Sequence, residues 1–478
     1  MGDEEGEWYT AIPSESSGSF FKVAIVFSSS EKRSVGLIAL LYAFRMLGLF
    51  VILPVFMLEG ASLEGATPGL LGFALGVYGL SQALMQVPFG LLSDRIGRKP
   101  VIVMGLVLFA IGGLVAGLSS SVYGVIVGRF LQGAGAIASV LMAFLSDLTQ
   151  EENRTKAMAT IGMTIGLTFA VSLILGPFLT RHFGLSGLFL STVALSAAGA
   201  VVMSRLPSIR IRTTRREHAL TFPEVGSMIR NSELLRLDFG IFALHFLLTA
   251  TFVVTPKALA ERYGIDVGQH GWIYLAVMVT AFIGMVPLII IGEKKQKVKT
   301  FFLGAIILLA LSIGILFVSE PSLTGFIACL FMFFLSFNFL EATLPSLISR
   351  IAPAGSRGTA MGIYSSSQFF GAFMGGAVGG SLFGLYGFAG VYGMSLLITL
   401  LWSVVGLGML PPPNTKSIVL PLKPFASSDC ERIASELQGV KGVEDVTLVV
   451  EEQAAYLKVN KAIFDDQVLM QHPLASSA

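Results

Sequence analysis

Charge is scarce in this chain. Asp, Glu, Lys and Arg make up 13% of its 478 residues, against about a quarter in an average soluble domain, so an ordinary water-facing surface cannot be built from it. Cysteine is scarcer still: Cys329 lies in an apolar run and Cys430 in a polar tail. Two such isolated thiols form neither a disulfide framework nor metal-ligand spacing. No metal cluster, nucleophile–base pair or phosphate-binding loop stands out, which sets an enzyme aside and leaves no cofactor and no metal to expect. A net charge of +2 gives no reason to expect a nucleic-acid partner. The opening MGDEEGEWYT is acidic and gives way to a Ser-rich stretch, without the basic start and cleavage site of a secretory signal. The apolar run from Phe20 to Phe27 is too short to cross a bilayer.

What is abundant is apolar: 54% of the residues are hydrophobic and mean hydropathy is +0.78. Runs of about 20 residues, the length needed to span the hydrocarbon core, recur near 36–57, 68–92, 101–119, 122–145, 156–180 and 185–204. A polar, Arg-rich stretch follows, then runs near 237–258, 270–291, 300–318, 324–348, 359–383 and 388–410. The expectation is an all-α polytopic membrane protein of twelve transmembrane helices in two six-helix bundles. Residues 1–34 form an N-terminal extension, 35–204 and 237–410 the bundles, 205–236 a linker and 411–478 a separate polar tail.

Basic residues fall on one side of this pattern: Arg95, Arg98, Lys99, Arg154, Lys156, the stretch from Arg205 to Arg230, Lys294, Lys295, Lys297, Lys299, Arg350 and Arg357. The other side has Arg181, Lys257, Arg262 and little else. Positive loops stay in the cytoplasm, so both termini are expected there. The two groups of six are also internally related. "RTKAM" at 154–158 returns as "RGTAM" at 357–361, and the same offset of 203 carries Gly176 onto Gly379, Gly184 onto Gly387 and Gly187 onto Gly390. Two repeated six-helix halves are the pattern of a secondary transporter, with a small-molecule site between them near the membrane midplane.

The densest charge in the apolar region is "GLLSDRIGRKP" at 90–100, between the second and third spans. It resembles the loop signature called motif A of the major facilitator superfamily, matching at Gly90, Asp94, Arg95, Gly97, Arg98 and Lys99. An ordinary positive-inside turn explains Arg98 and Lys99 but not the spaced Gly and Asp. Gly90 admits a close helix neighbour and Gly97 permits the positive φ of a tight turn. An ionised Asp94 has oxygens to offer a helix N-terminus, where unpaired N–H groups and the macrodipole favour an anion. The resemblance implies that this helix is the eleventh, starting around Gly358, and that the block is a latch which holds the cytoplasmic side shut. Arg98 then has Asp147 as a partner. The corresponding "GEKKQKVKT" from Gly292 keeps the cations without the Asp-Arg-x-Gly-Arg core, so a one-sided latch is expected.

"GRFLQGAGA" at 128–136 resembles the family's motif B at Arg129, Gln132, Gly133 and Gly135, and that motif implicates Arg129 in proton coupling; the alternative is a side chain that snorkels to an interface. Gly176-Pro177 resembles the Gly-Pro core of the antiporter-associated motif C, with Ser172 in place of its small partner Gly and no Gly-Gly following. Plain helix packing, shared with Gly375, Gly376, Gly379 and Gly380 in the second half, is the competing reading. Three more ionisable residues interrupt apolar runs: Arg45, His245 and Glu341. Desolvation works against the charged form of a lone carboxylate, which suits Glu341 to taking up and releasing protons; a structural hydrogen bond or pair, with Arg45 or Arg129 across the cavity as candidate partners, is the alternative. His245 reads equally as a packing residue. Polar or aromatic residues placed to line a central cavity are Tyr42, Gln82, Gln86, Asn338, Tyr364 and Gln368.

After Pro411 the composition turns soluble. A strand, a short amphipathic helix ending at Gly439, and two β-rich runs, followed by a helix expected from Phe464, make most of a small α+β ferredoxin-like unit. Its phrasing is similar to heavy-metal-associated domains, but their Cys-x-x-Cys is replaced by "KPFASSDC", with Cys430 alone, so no metal is expected. The resemblance implies a proton-coupled secondary transporter of a bacterial inner membrane, exporting a small organic compound by alternating access, with an unidentified partner for the tail. A uniporter or importer on the same fold and a membrane ligand sensor are the alternatives.

Overall fold

The computed structural model describes residues 28–149, 151–207, 230–352, 357–411, 415–450, 453–460, 463–465 and 473–474. Most of the expected extension, most of the expected linker and the helix expected after Phe464 lie outside these residues.

Among the described residues ten helices are long and apolar enough to cross a membrane, and two of them run for 50 residues. Each of the two is interrupted at one glycine, Gly184 (φ 65°) or Gly387 (φ 60°), in a region that an L side chain resists. The chain reverses there. On one side of Gly184 the helix runs beside the first helix, with Asn153 bonded to Glu31 and Gly176 against Val51. Beyond it the helix turns back along the third, from Gly117 against Ser186 to Lys99 bonded to the Leu206 carbonyl. The same reversal at Gly387, one repeat later, brings the crossings to twelve.

The helices are α1 (Ser29–Phe50), α2 (Pro68–Ile96), α3 (Arg98–Leu118), α4 (Val122–Ala134 continued by Ala138–Leu148), and α5 and α6 (151–183 and 185–205). The second half has α7 (Ser232–Lys257), α8 (Val267–Lys294), α9 (Val298–Val318), α10 (Leu323–Ile351), and α11 and α12 (357–386 and 388–407). Polar side chains at the starts take the orphaned N–H groups: Ser28 in a capping box with Glu31, then Thr67, Asn231, Asp266 and Ser322. Two spans differ from expectation. The first, expected to run to 57, ends as regular helix at Phe50 and passes through a turn containing Pro54, which has no N–H to continue the ladder. The fourth, expected to be continuous, breaks between Gly135 and Ile137.

The halves meet where α2 crosses α11. A Cβ added at Gly72 would lie 2.3 Å from the Gly376 carbonyl oxygen, at Gly76 2.5 Å from that of Phe373, and at Gly380 2.5 Å from that of Pro68. Backbone rests on backbone. Gly371 and Gly375 do the same against Phe242 and Phe246 of α7, each at 2.2 Å. A second crossing sets Gly271 of α8 on Ile174 of α5. Both stop part way along: at Gly90 of α2 the neighbour is Ser139 of its own half at 4.0 Å, and Gly162 of α5 has nothing within 4 Å. Midway, the Phe169 ring touches Phe50 of its own half and Phe252 and Phe334 of the other, with centroids 5.0, 6.1 and 6.4 Å away. The halves are therefore closed at the end away from the basic loops and parted at the basic-loop end.

The tail is a small α+β unit: β1 (Thr415–Pro421), α13 (Cys430–Gln438), β2 (Val443–Val449) and β3 (Ala454–Asn460). The antiparallel sheet has the order β1-β3-β2. Ile433 and Leu437 of α13 cover Ala455, Leu457 and Val459. Lys458 Nζ donates to the carbonyls of Arg350 and Ile351, at 2.9 and 3.1 Å, so the tail caps the end of α10 with a cation, where the helix dipole favours one.

Because the α2–α11 crossing leaves no room for a side chain, Gly72→Val is expected to cost about 1–3 kcal/mol and to lower the melting temperature of the purified protein. An unchanged melting curve would mean that the two backbones do not depend on this contact.

Candidate functional site

Three polar groupings lie within or at the mouth of the twelve-helix body. The first belongs to the N-terminal half. Arg45 and Arg129 are 3% and 1% exposed, with the Tyr78 ring between them at 5.0 and 4.7 Å and Phe109 at 4.2 Å from Arg45. The break in α4 explains Arg45: carbonyls released from the helix ladder need donors, and Arg45 Nη2 donates to those of Gln132 (3.0 Å) and Gly135 (3.2 Å), as well as to Gln82 Oε1 (3.3 Å). Arg129 Nη1 donates to Gln132 Oε1 at 3.0 Å, and Gln132 Nε2 donates to Thr192 Oγ1 at 2.9 Å. Arg129 does not snorkel to an interface; it is enclosed in its bundle. Nor does either arginine reach Glu341, so the pairing across the cavity weighed for them is not made.

Two residues expected in the cavity belong to this enclosed grouping instead. Tyr42 donates its hydroxyl to the Ala138 carbonyl at 2.5 Å, on the far lip of the same helix break, and Gln82 is held by Arg45. Gln86 is buried with its Oε1 lacking a partner among the described residues.

The second grouping lies in the C-terminal half, where α7, α10 and α11 meet. Gln368 Nε2 donates to His245 Nε2 at 2.9 Å and to Glu341 Oε1 at 3.3 Å. With Nε2 accepting, a neutral His245 carries its proton on Nδ1, which lies 3.9 Å from Glu341 Oε2. The Glu341 side chain is 36% exposed, on the side of the aromatic seal that opens toward the basic loops. Asn338 lies one turn away on α10, buried, with Nδ2 unpartnered among the described residues. Tyr364 lies one turn from Gln368 on α11, within electrostatic reach of Glu341 and of Asp238, its hydroxyl likewise unpartnered.

Asp238 is the residue that sequence reading missed. The seventh span was expected to begin at 237, which puts an aspartate at its wet edge. The helix begins at Ser232, capped by Asn231, so Asp238 lies almost two turns inside it, buried, with Oδ1 unpartnered among the described residues. The spacing 238–245 was the available signal, since it sets Asp238 and His245 on one helix face.

The third grouping lies at the basic-loop end. Gly97 has φ 102°, turning the chain sharply from α2 into α3. Arg98 then reaches back to Asp94 and Ser93 and donates through Nε to Asp147 Oδ2 at 3.1 Å. The Asp94 side chain is 58% exposed and its described partner is Arg98, not the start of α11. The second half has its own pair, Glu293 with Arg350, which the motif comparison did not anticipate because only one partner keeps its place in the repeat: Arg350 stands one repeat after Asp147. In the packing groups, Gly176 backs onto the Val51 carbonyl and Pro54, Gly379 onto Ala250, and Gly380 onto Pro68 and Gly72, while Pro177 is buried inside its helix.

Comparison with known proteins agrees with this architecture. The family model described as Major Facilitator Superfamily matches residues 36–252 and 237–470. The inner membrane transport protein YajR of Escherichia coli (strain K12) is 41% identical over 434 residues, 91% of this chain and 95% of that protein. Multidrug resistance protein MdtH of Aeromonas salmonicida (strain A449) is 24% identical over 76% of this chain and 90% of its own. The crystal structure of a D-xylose–proton symporter is similar with a TM-score of 0.62 at 17% identity, covering 80% of this chain and 97% of that one.

The helix-break account predicts unequal costs for its two donors. Tyr42→Phe removes one hydrogen bond, worth about 1 kcal/mol. Arg45→Met strips three acceptors at once and is expected to destabilise the protein by about 3 kcal/mol. Thermal unfolding of the two variants in the same detergent checks the order, and equal losses would contradict it.

Proposed function

The chain belongs to the major facilitator superfamily, and we propose that this multi-pass membrane transporter is a proton-coupled exporter of a small organic compound, working by alternating access. Glu341, held by Gln368 and beside His245, is the proton-carrying group. The observation that carries this reading is the placement of the Glu341 side chain, 36% exposed but with Oε2 buried and unpartnered among the described residues, between the parted basic-loop end and the seal made by Phe169 and its ring neighbours. A carboxylate there meets water in one state of the transporter and is withdrawn from it as the halves close. Proton exchange coupled to that movement is what an antiporter requires. Asp238, Tyr364 and Asn338 line the approach to Glu341, and Arg45 and Arg129 hold the N-terminal half in shape, with Arg129 in the motif position linked to coupling. Similarity to a multidrug resistance protein supports export of an amphipathic organic molecule, and similarity to YajR supports residence in a bacterial inner membrane. The basic loops then face the cytoplasm, with both termini on that side. The divisions at 35–204, 237–410 and 411–478 serve as two halves and a cytoplasmic domain. The order β1-β3-β2 of the tail supports a ferredoxin-like reading for that domain.

On this reading the structure is the inward-open state, and motif A is a released latch. Asp94 is free of α11 because the basic-loop end has parted; on closing, its carboxylate meets the N–H groups at the start of α11, an interaction of roughly 0.3–2 kcal/mol.

Two measurements test this. In everted membrane vesicles carrying the parent protein, a transported compound is expected to collapse an imposed proton gradient, and Glu341→Gln is expected to abolish the response while leaving the protein in the membrane. A response of equal size in the variant would move the proton to another group, and transport of the compound without proton movement would make the protein a uniporter. Asp94→Asn is expected to raise the inward-open fraction several-fold, read as spin-label distances across the basic-loop end, and an unchanged distance distribution would remove the latch.

A further inference from the structure

One cavity lies away from the central site. It is a groove of about 310 Å³ between α8 and α9, floored by α10 and lined chiefly by Leu288, Phe301, Ala305, Leu308, Leu335 and Phe339. Gly304 holds it open: a Cβ there would have nothing within 4 Å. On either flank are the exposed apolar rows of the two helices, Ile283, Val286 and Ile290 on α8 and Ile307 and Leu311 on α9, which are the faces turned to the hydrocarbon. Thr300, at one end of the groove, and Leu308, deeper in, are both on α9, so the groove runs about 12 Å along the helix, close to the roughly 15 Å of chain in one leaflet.

Cations stand where the groove meets the basic-loop end. Lys294, Lys295 and Lys297 are exposed in the turn between α8 and α9, immediately before Thr300. The adjacent carboxylate, Glu293, is engaged by Arg350, and Lys299 donates to the Leu407 carbonyl. An apolar slot one leaflet deep, beneath exposed lysines at headgroup level, fits an amphiphile with one negative end. A neutral lipid would leave the lysines without a counter-charge, a zwitterionic one brings an ammonium of its own that competes for its phosphate and repels the lysines, and a soluble anion would leave the slot unfilled.

We propose that this groove binds one acyl chain of an anionic phospholipid, with Lys295 and Lys297 holding the headgroup phosphate. The site lies on the outside of the C-terminal half and touches neither Glu341 nor the motif A block. A chain seated there braces α8, whose other end crosses α5 at Gly271, so the lipid acts on a helix that closes the two halves. The proposal is independent of what the transporter carries.

Native mass spectrometry of the full-length protein, released from micelles containing equal phosphatidylglycerol and phosphatidylethanolamine, tests it. The parent is expected to retain phosphatidylglycerol in several-fold excess. The double variant Lys295→Gln/Lys297→Gln is expected to bring the two lipids to near-equal retention, since a cation at an anionic surface is worth roughly fivefold. Gly304→Trp, which fills the groove and leaves every lysine in place, is expected to lower it as well; should that variant fold poorly, G304L fills the same open space with a smaller side chain. Equal retention of the two lipids by the parent overturns the proposal. So does a preference that falls in the lysine variant but survives in the groove-filled one, because that is surface attraction without a bound chain.

Discussion

The crossing of α2 over α11 is the contact on which the remaining geometry depends. Gly72, Gly76, Gly376 and Gly380 let two backbones touch over about three turns at one end of the molecule, and among the described residues no glycine-on-backbone contact joins the halves at the other. In a bilayer, helices gain little from hiding apolar side chains, since lipid is as apolar as they are; close van der Waals contact between small residues is what holds them. A body pinned this way at one end has a cavity that must open at the other. The exposure of Glu341, the freedom of Asp94 from α11, and the position of the Phe169 cluster as the cavity's inner wall all follow from where those glycines lie.

The two halves use their buried polar groups differently. In the N-terminal half, guanidinium groups are locked by carbonyls, glutamine oxygens and aromatic faces around the break in α4. Arg45 answers the carbonyls of Gln132 and Gly135, backbone groups that would otherwise be stranded in a dry interior, while Gln82 and Gln132 accept through their side chains. Both halves keep buried atoms without a partner among the described residues: Arg45 Nε and Nη1, Arg129 Nε, Tyr78 Oη and Gln86 Oε1 in the first, and Glu341 Oε2, Asp238 Oδ1, Asn338 Nδ2 and Tyr364 Oη in the second. Leaving a buried polar group unsatisfied costs about 1–3 kcal/mol, so such a cluster is suited to groups that change partner during function. The halves differ in the chemistry of these groups: guanidiniums in the first, carboxyls and an imidazole in the second.

Much of this was legible in the sequence, for a definite reason: spans, loops and repeats are periodic, and periodicity survives in one dimension. The twelve crossings, the polar tail and the Gly184–Gly387 correspondence are all of this kind. What could not be read was pairing across helices. Tyr42 and Gln82 look like cavity residues by helix position, yet they turn into their own bundle: Tyr42 donates to the Ala138 carbonyl just past the α4 break, and Gln82 accepts from Arg45, which the carbonyls at the break hold in place; no periodic pattern announces that break. Arg45 and Arg129 look like counter-ions for Glu341 in a membrane poor in charge; the structure gives Glu341 Gln368 and His245 instead, from its own half. Asp238 was hidden by a helix start misplaced by one turn. The Glu293–Arg350 pair was hidden because only one partner keeps its place in the repeat: Arg350 stands 203 residues after Asp147, while Glu293 falls on Gly90.

The location of these pairs bears on how the halves move. Arg98 with Asp94 and Asp147, Glu293 with Arg350, and Lys458 on the end of α10 all lie within one half or between a half and its own tail. None of these bonds has to break for the halves to part. At the closed end, the α2–α11 crossing is made of atoms that have already spent their hydrogen bonds inside their own helices, so separating them strands no donor or acceptor in lipid. The cost of opening is lost dispersion, spread over many small contacts. A transporter needs its two closed forms to be close in free energy and the path between them free of orphaned polar groups. In this state the described ion pairs stay within each half and backbone packing joins the halves at the closed end, which meets both requirements; the Asp94 contact with α11 is the one proposed to form across the halves as the other end shuts.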